Sequence, residues 1–120
     1  MKFELKRLEP VQIHLQGKSY PAKLTNRALI ELEEFTGVSH IEFLARLDGT
    51  STNIKDISTL LFVALKGGGV EVEYSDLLEL DFAFNEYVQL LNALGEVVSR
   101  SLTTTGNDKD EKKRVKRGAV

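Results

Sequence analysis

The chain has 120 residues, with 42% hydrophobic and 28% charged side chains, an ordinary globular usage that points to one domain around one modest core. It contains no cysteine, which excludes disulfides, thiolate nucleophiles and cysteine-based zinc sites. The net charge of −2 conceals an asymmetry: residues 1–105 hold 10 Lys and Arg against 15 Asp and Glu, whereas residues 106–120 hold 6 against 3. An acidic body argues against nucleic acid as the main partner, because phosphate binding needs clustered positive charge. No apolar run approaches the ~20 residues that span a bilayer. Residues 1–7 lack the apolar stretch of a secretory signal, so a cytoplasmic protein is expected.

In chain order, the first fifteen residues alternate. Phe3 and Leu5 face away from Lys2, Glu4 and Lys6, and Val11, Ile13 and Leu15 face away from Gln12, His14 and Gln16. Period 2 predicts half-buried strands, interrupted at Glu9-Pro10 because proline lacks the ladder donor. Gln16-Gly17-Lys18 predicts a tight hairpin turn, with residues 19–23 returning. A helix follows. Thr25 can cap it, Leu24 and Leu29 are spaced as a hydrophobic staple, and Ala28, Leu29, Leu32 and Phe35 share one face, with Gly37 as the stop.

Ser39 and Glu42 form the S-x-x-E signature of a second, shorter helix, with Val38 and Phe43 as its staple, Leu44 and Leu47 pointing inward, and Gly49 at its end. After the polar residues 50–53, a third helix capped near Asn53 carries Ile54, Ile57, Leu60, Leu61, Ala64 and Leu65 on a broad apolar face. Gly67-Gly68-Gly69 ends it and reads as a flexible joint. Residues 70–74 alternate as a short strand, and Ser75 caps a short helix through Leu80. The last helix spans roughly residues 81–101. Phe84, Val88, Leu91, Leu94 and Val98 recur at helical spacing, flanked by Tyr87, Leu90 and Val97. So wide a stripe needs a partner surface, either the core or another subunit. Residues 103–120 are polar, charged and poor in apolar side chains, the composition of a disordered tail. The expected fold is therefore α+β: an N-terminal β-hairpin or small antiparallel sheet, then a bundle of four to five helices over residues 1–102, then a disordered basic C-terminal tail over 103–120.

The search for chemistry returns little. The two histidines, His14 and His40, stand on a polar strand face and in a first helical turn, where a solvated role outweighs a catalytic one. No serine sits in a G-x-S-x-G elbow. The carboxylates Glu31, Glu33 and Glu34, Glu71 and Glu73, and Asp76 and Glu79 match no metal-binding motif and read as solubilising charges. The triple glycine is followed by Val70-Glu71 rather than the Lys and hydroxyl of a phosphate loop. No catalytic residue, cofactor or metal is expected. The run 109–117 is basic but lacks aromatics for base stacking, so a solvated tail or a contact with an acidic protein partner suits it better than nucleic acid.

Residues 16–37, QGKSYPAKLTNRALIELEEFTG, together with ISTLLFVALKGG at 57–68 and YSDLLEL at 74–80, resemble the tail assembly chaperones of long-tailed bacteriophages and prophages and the related tail proteins of gene transfer agents. The resemblance covers about residues 10–102, and its motifs are structural rather than catalytic. It implies a protein of the infected or lysogenic bacterial cytoplasm that coats the aggregation-prone tape measure protein and helps tail tube subunits polymerise around it. It also raises a longer frameshifted form, for which Lys112-Lys113, the only Lys-Lys pair, marks a place where slippery codons would fit.

Two functions follow as expectations. One is a non-catalytic chaperone that binds the tape measure protein and the tail tube protein, with a client helix lying in an apolar groove. The other is a structural tail or connector component that stays in the particle and self-assembles. The side chains expected to touch partners are Phe35, Phe43, Phe84, Tyr87 and Leu91, with Lys112, Lys113 and Arg114 of the tail as electrostatic contacts.

Overall fold

The computed structural model describes residues 1–47 and 53–102. The sequence elements at Gly49, 50–52 and 103–120, including Lys112, Lys113 and Arg114, lie outside the described residues. Two strands, β1 (Val11–Leu15) and β2 (Lys18–Ala22), precede five helices: α1 (Asn26–Thr36), α2 (His40–Arg46), α3 (Ile54–Gly67), α4 (Tyr74–Leu78) and α5 (Phe84–Leu102). The α+β architecture of a hairpin followed by helices is the one the sequence predicts.

The hairpin is antiparallel, with Val11 opposite Ala22 and Leu15 opposite Lys18. Its two-residue turn places both Gln16 (φ 51°) and Gly17 (φ 86°) in the left-handed region, the demand of the turn that matches strand twist. Along β1, Val11, Ile13 and Leu15 are buried while Gln12 and His14 are exposed.

The earlier alternation, at Phe3 and Leu5, does not become a strand. Residues 1–10 have no regular structure, and Phe3, Leu5 and Leu8 are exposed. A period-2 pattern forms a strand only where a sheet takes up its backbone. Here side chains meet two of the carbonyls instead: Lys23 Nζ donates to Leu8 O at 3.1 Å and Arg100 to Glu9 O at 3.1 Å.

Helix ends follow their capping chemistry. Thr25 Oγ1 accepts from the Ala28 N–H, Ser39 Oγ from Glu42, and Asn53 Oδ1 from Asp56, each satisfying an orphan first-turn donor. Gly37 closes α1 in the left-handed conformation. Residues 70–73 are irregular rather than a strand. Glu73, not Ser75, caps α4, because Glu73 and Asp76 form a reciprocal capping box that draws Tyr74 into the helix.

The core is one cluster. Ile13, Leu32, Phe43, Leu60, Leu65, Leu94 and Val97 are among its fully enclosed side chains, each contributing on the order of 1.5–3 kcal/mol by leaving water. Helix α3 is its axle, touching β2, α1, α4 and α5, while α5 closes over β1. Thr59 is the one buried polar side chain among the described residues, and its hydroxyl donates back to Lys55 O.

Two of the three glycines at the end of α3, Gly67 and Gly68, are packed, not loose. A Cβ on Gly67 would strike the Lys23 carbonyl, and one on Gly68 the Pro21 carbonyl. The Lys23 N–H also donates to Ala64 O at 3.0 Å. Bare backbone lets the end of α3 seat against β2, so the flexible joint expected there is a tight helix–strand contact.

Candidate functional site

Helix α5 carries two parallel apolar rows. Leu90, Leu94 and Val97 form the inner row and are 2% exposed each. Phe84, Val88, Leu91, Gly95 and Val98 form the outer row, spaced i, i+4, i+7, i+11 and i+14 along one edge of the helix. Phe84 is 82% exposed, Val88 38% and Leu91 37%. The inner row seals the core. The outer row is only partly covered by the rest of the described chain, least of all at Phe84, and Val98 packs against the core.

Opposite it stand α2 and the first turns of α3. Between them runs an open groove of about 700 Å³, lined by Ile41, Leu44 and Leu47 on one side, Ile57 and Leu60 on its floor, and Leu91, Leu94 and Val98 on the other. Among the described residues no charged side chain lines it. Ile41 projects from α2 with 67% of its surface exposed, the reverse of what a two-turn helix serving only the core would show. An aliphatic groove of this size suits the apolar face of a partner segment.

The residues expected to touch partners scatter. Leu91 lines the groove, and Phe84 lies two turns before it on the same row. Tyr87 is half-buried and packs on Phe82 at 5.9 Å. Phe35 is 47% exposed and joins α1 to α3 and α4 through Phe62 and Tyr74, with ring centroids 5.7 and 4.9 Å away. Phe43 offers no surface. It is fully enclosed in the core, because the inward face of a helix as short as α2 is taken by Phe43 and Leu44 together. Ile41, Val88 and Val98 are groove or row residues that sequence reasoning left out of its partner set. For Val88 and Val98 the signal was present in the helical spacing, while Ile41 carried none.

A second concavity, of about 790 Å³, opens between the N-terminal segment, the start of α1 and the ends of α3 and α5. Its walls bring together Lys6, Arg7, Lys23, Arg27, Lys66 and Arg100, against only Glu9 and Glu31. Lys66 approaches Glu31 at 3.9 Å, and Arg100 pairs with Glu96 at 2.8 Å.

Among the described residues, both histidines pair locally. His14 Nδ1 is 2.8 Å from Ser19 Oγ on the exposed face of the hairpin. Glu33 Oε2 accepts from the backbone N–H of His40 at 2.9 Å and lies 2.7 Å from its Nδ1. The side-chain hydrogen bond from His40, reinforced by the backbone one, holds the Glu33 carboxyl below its ordinary value. This pins α2 to α1. Among the described residues no group of three His, Cys, Asp or Glu could hold a metal ion, and no helix is long and apolar enough to cross a membrane.

The family described as phage tail tube protein, GTA-gp10, matches residues 10–104, and the chain belongs to it. It is thus a bacteriophage-tail-related protein, and the match spans both strands and all five helices. No curated protein and no solved structure matches it.

Proposed function

We propose that the chain is a non-catalytic structural component of a phage-type tail, acting by binding other tail proteins and further copies of itself. The family match over residues 10–104 carries this reading, since it ties nearly the whole described body to tail tube proteins. The geometry supports it. The groove between α2, α3 and α5, extended by Phe84 and Val88, presents an aliphatic surface edged by an open helical row, a form suited to burial in an assembly. The body would assemble in the bacterial cytoplasm.

The groove also favours a second reading, the transient chaperone. Its lining, uncharged among the described residues, fits the apolar face of an amphipathic client helix of the kind a tape measure protein would offer. The two readings part on one experiment. Mass spectrometry of purified particles is expected to find the chain as a retained component. Its absence from particles, combined with a rise in soluble tape measure protein on co-expression, would replace the first reading with the second.

A further inference from the structure

Two charged patches of opposite sign stand on the folded body. Six of the ten cations in residues 1–105 line the cleft at the start of α1. From Gly67 to Ser99 there is no Lys or Arg at all, against seven carboxylates. Six of these, Glu71, Glu73, Asp76, Glu79, Asp81 and Glu86, fall between the end of α3 and the first turn of α5. None of the six is in a salt bridge among the described residues. All but Glu86 are exposed. In their midst Leu78 stands on α4 with 59% of its surface in solvent.

The two patches are held apart by α1. Arg27, Ala28 and Glu31 line the cleft, whereas Phe35 packs on Tyr74 at the start of α4. Nine helical steps from Asn26 to Phe35 separate them by roughly 13 Å. Lys66 reaches back over Phe62, which touches Tyr74, yet among the described residues no salt bridge joins a cleft cation to any of the six carboxylates within one molecule.

We propose that the cationic cleft receives the acidic α4 segment of a second copy, with Leu78 as the apolar anchor, so that copies join head to tail. This rests on the reading of the chain as a self-associating tail component and names the surfaces that would do it. The cleft suits that occupant in two ways. Its rim among the described residues is a net four positive charges facing six carboxylates, and its walls include the exposed Leu5 and Leu8, an apolar seat for one leucine. A desolvated aliphatic anchor inside a ring of complementary charge is the usual anatomy of a specific interface. The contact joins unlike surfaces, so it leaves a free cleft at one end and a free α4 at the other. Repetition closes into a ring if the rotation allows and otherwise runs on as a filament.

Sedimentation of the full chain across concentration and salt tests this. The wild type should associate at low ionic strength and dissociate as salt is raised. Arg7→Glu with Arg27→Glu cancels the net charge of the cleft, and Glu71→Lys with Glu79→Lys cuts that of the α4 segment from six negative charges to two, all at exposed positions. Each pair alone should weaken association at least tenfold, and an equimolar mixture of the two variants should restore pairing into dimers, since the intact cleft of one meets the intact α4 segment of the other. Leu78→Ser should weaken association without lowering the unfolding midpoint.

A wild type that stays monomeric at low salt overturns the proposal, including the case in which its cleft binds an acidic peptide of another tail protein instead. So does association that survives both reversals, or that is lost only on removing residues 103–120. Finding the chain in particles while the reversals leave association unchanged would sink this contact and leave the tail-component reading intact. Its absence from particles would sink that reading instead.

Discussion

The two rows of α5 are nearly equal in hydrophobic content and opposite in fate. Leu90, Leu94 and Val97 vanish into the core, while Phe84, Val88 and Leu91, a third of a turn away, remain at the surface. Amphipathic spacing therefore reports how much apolar width a helix carries, not how much of it the same chain will cover. The difference lies in the opposing wall. The inner row meets α3 and the hairpin, both continuous and close. The outer row faces α2, seven residues long, which leaves a groove where a longer helix would have filled it.

The largest expected effect tests the sealed side of that comparison. Leu94→Ala should lower stability by about 2–5 kcal/mol, as for other enclosed leucines that leave a cavity, whereas Leu91→Ala should cost less than about 1 kcal/mol, the range of changes away from the core. Denaturant unfolding of the two variants checks this. Equal losses would mean that the fold depends on the outer row as much as on the inner.

Next is the seat of α3 on β2. Gly68→Ala forces a methyl onto the Pro21 carbonyl and should cost roughly 1–3 kcal/mol, the usual range for overpacking. A neutral result in thermal unfolding would return these glycines to the role of a simple helix stop. Thr25→Ala removes the cap on α1 and should cost ~1 kcal/mol, read in the same assay.

The smallest effect is electrostatic. The Glu33 carboxyl is held below 4.5 by His40. A depressed carboxylate adds stability above its unfolded pKa and loses it as pH falls through the lower folded value. The stability difference between wild type and Glu33→Gln should therefore be largest near neutrality and shrink as pH drops through 4.5 and below. A difference that stays constant over that range would contradict the assignment. The exposure of the pair keeps the effect small.

Much of the fold was legible because it is locally encoded. Thr25, Ser39 and Asn53 announce helix starts, Gly37 a stop, and Gln16-Gly17 a turn, each through chemistry within four residues. What failed depended on partners distant in sequence. Phe3 and Leu5 have a strand's alternation but no sheet takes up their backbone. Gly67 and Gly68 look like punctuation, and only the nearness of β2 shows that they are contacts. Phe43 and Phe84 are both apolar helix residues, and nothing in their spacing says that one is enclosed and the other 82% exposed. The cationic cleft was illegible for the same reason, since its lysines and arginines come from five separate stretches of chain.

The central claim is that the outer row of α5 is a docking face within a tail. The most direct measurement is the copy number of the chain in purified particles, by quantitative mass spectrometry, for wild type and for Val88→Asp with Leu91→Asp produced at equal soluble levels. A docking face predicts several copies of the wild type per particle and a loss of most of them in the variant. Equal incorporation of both, or no chain in wild-type particles, would contradict it.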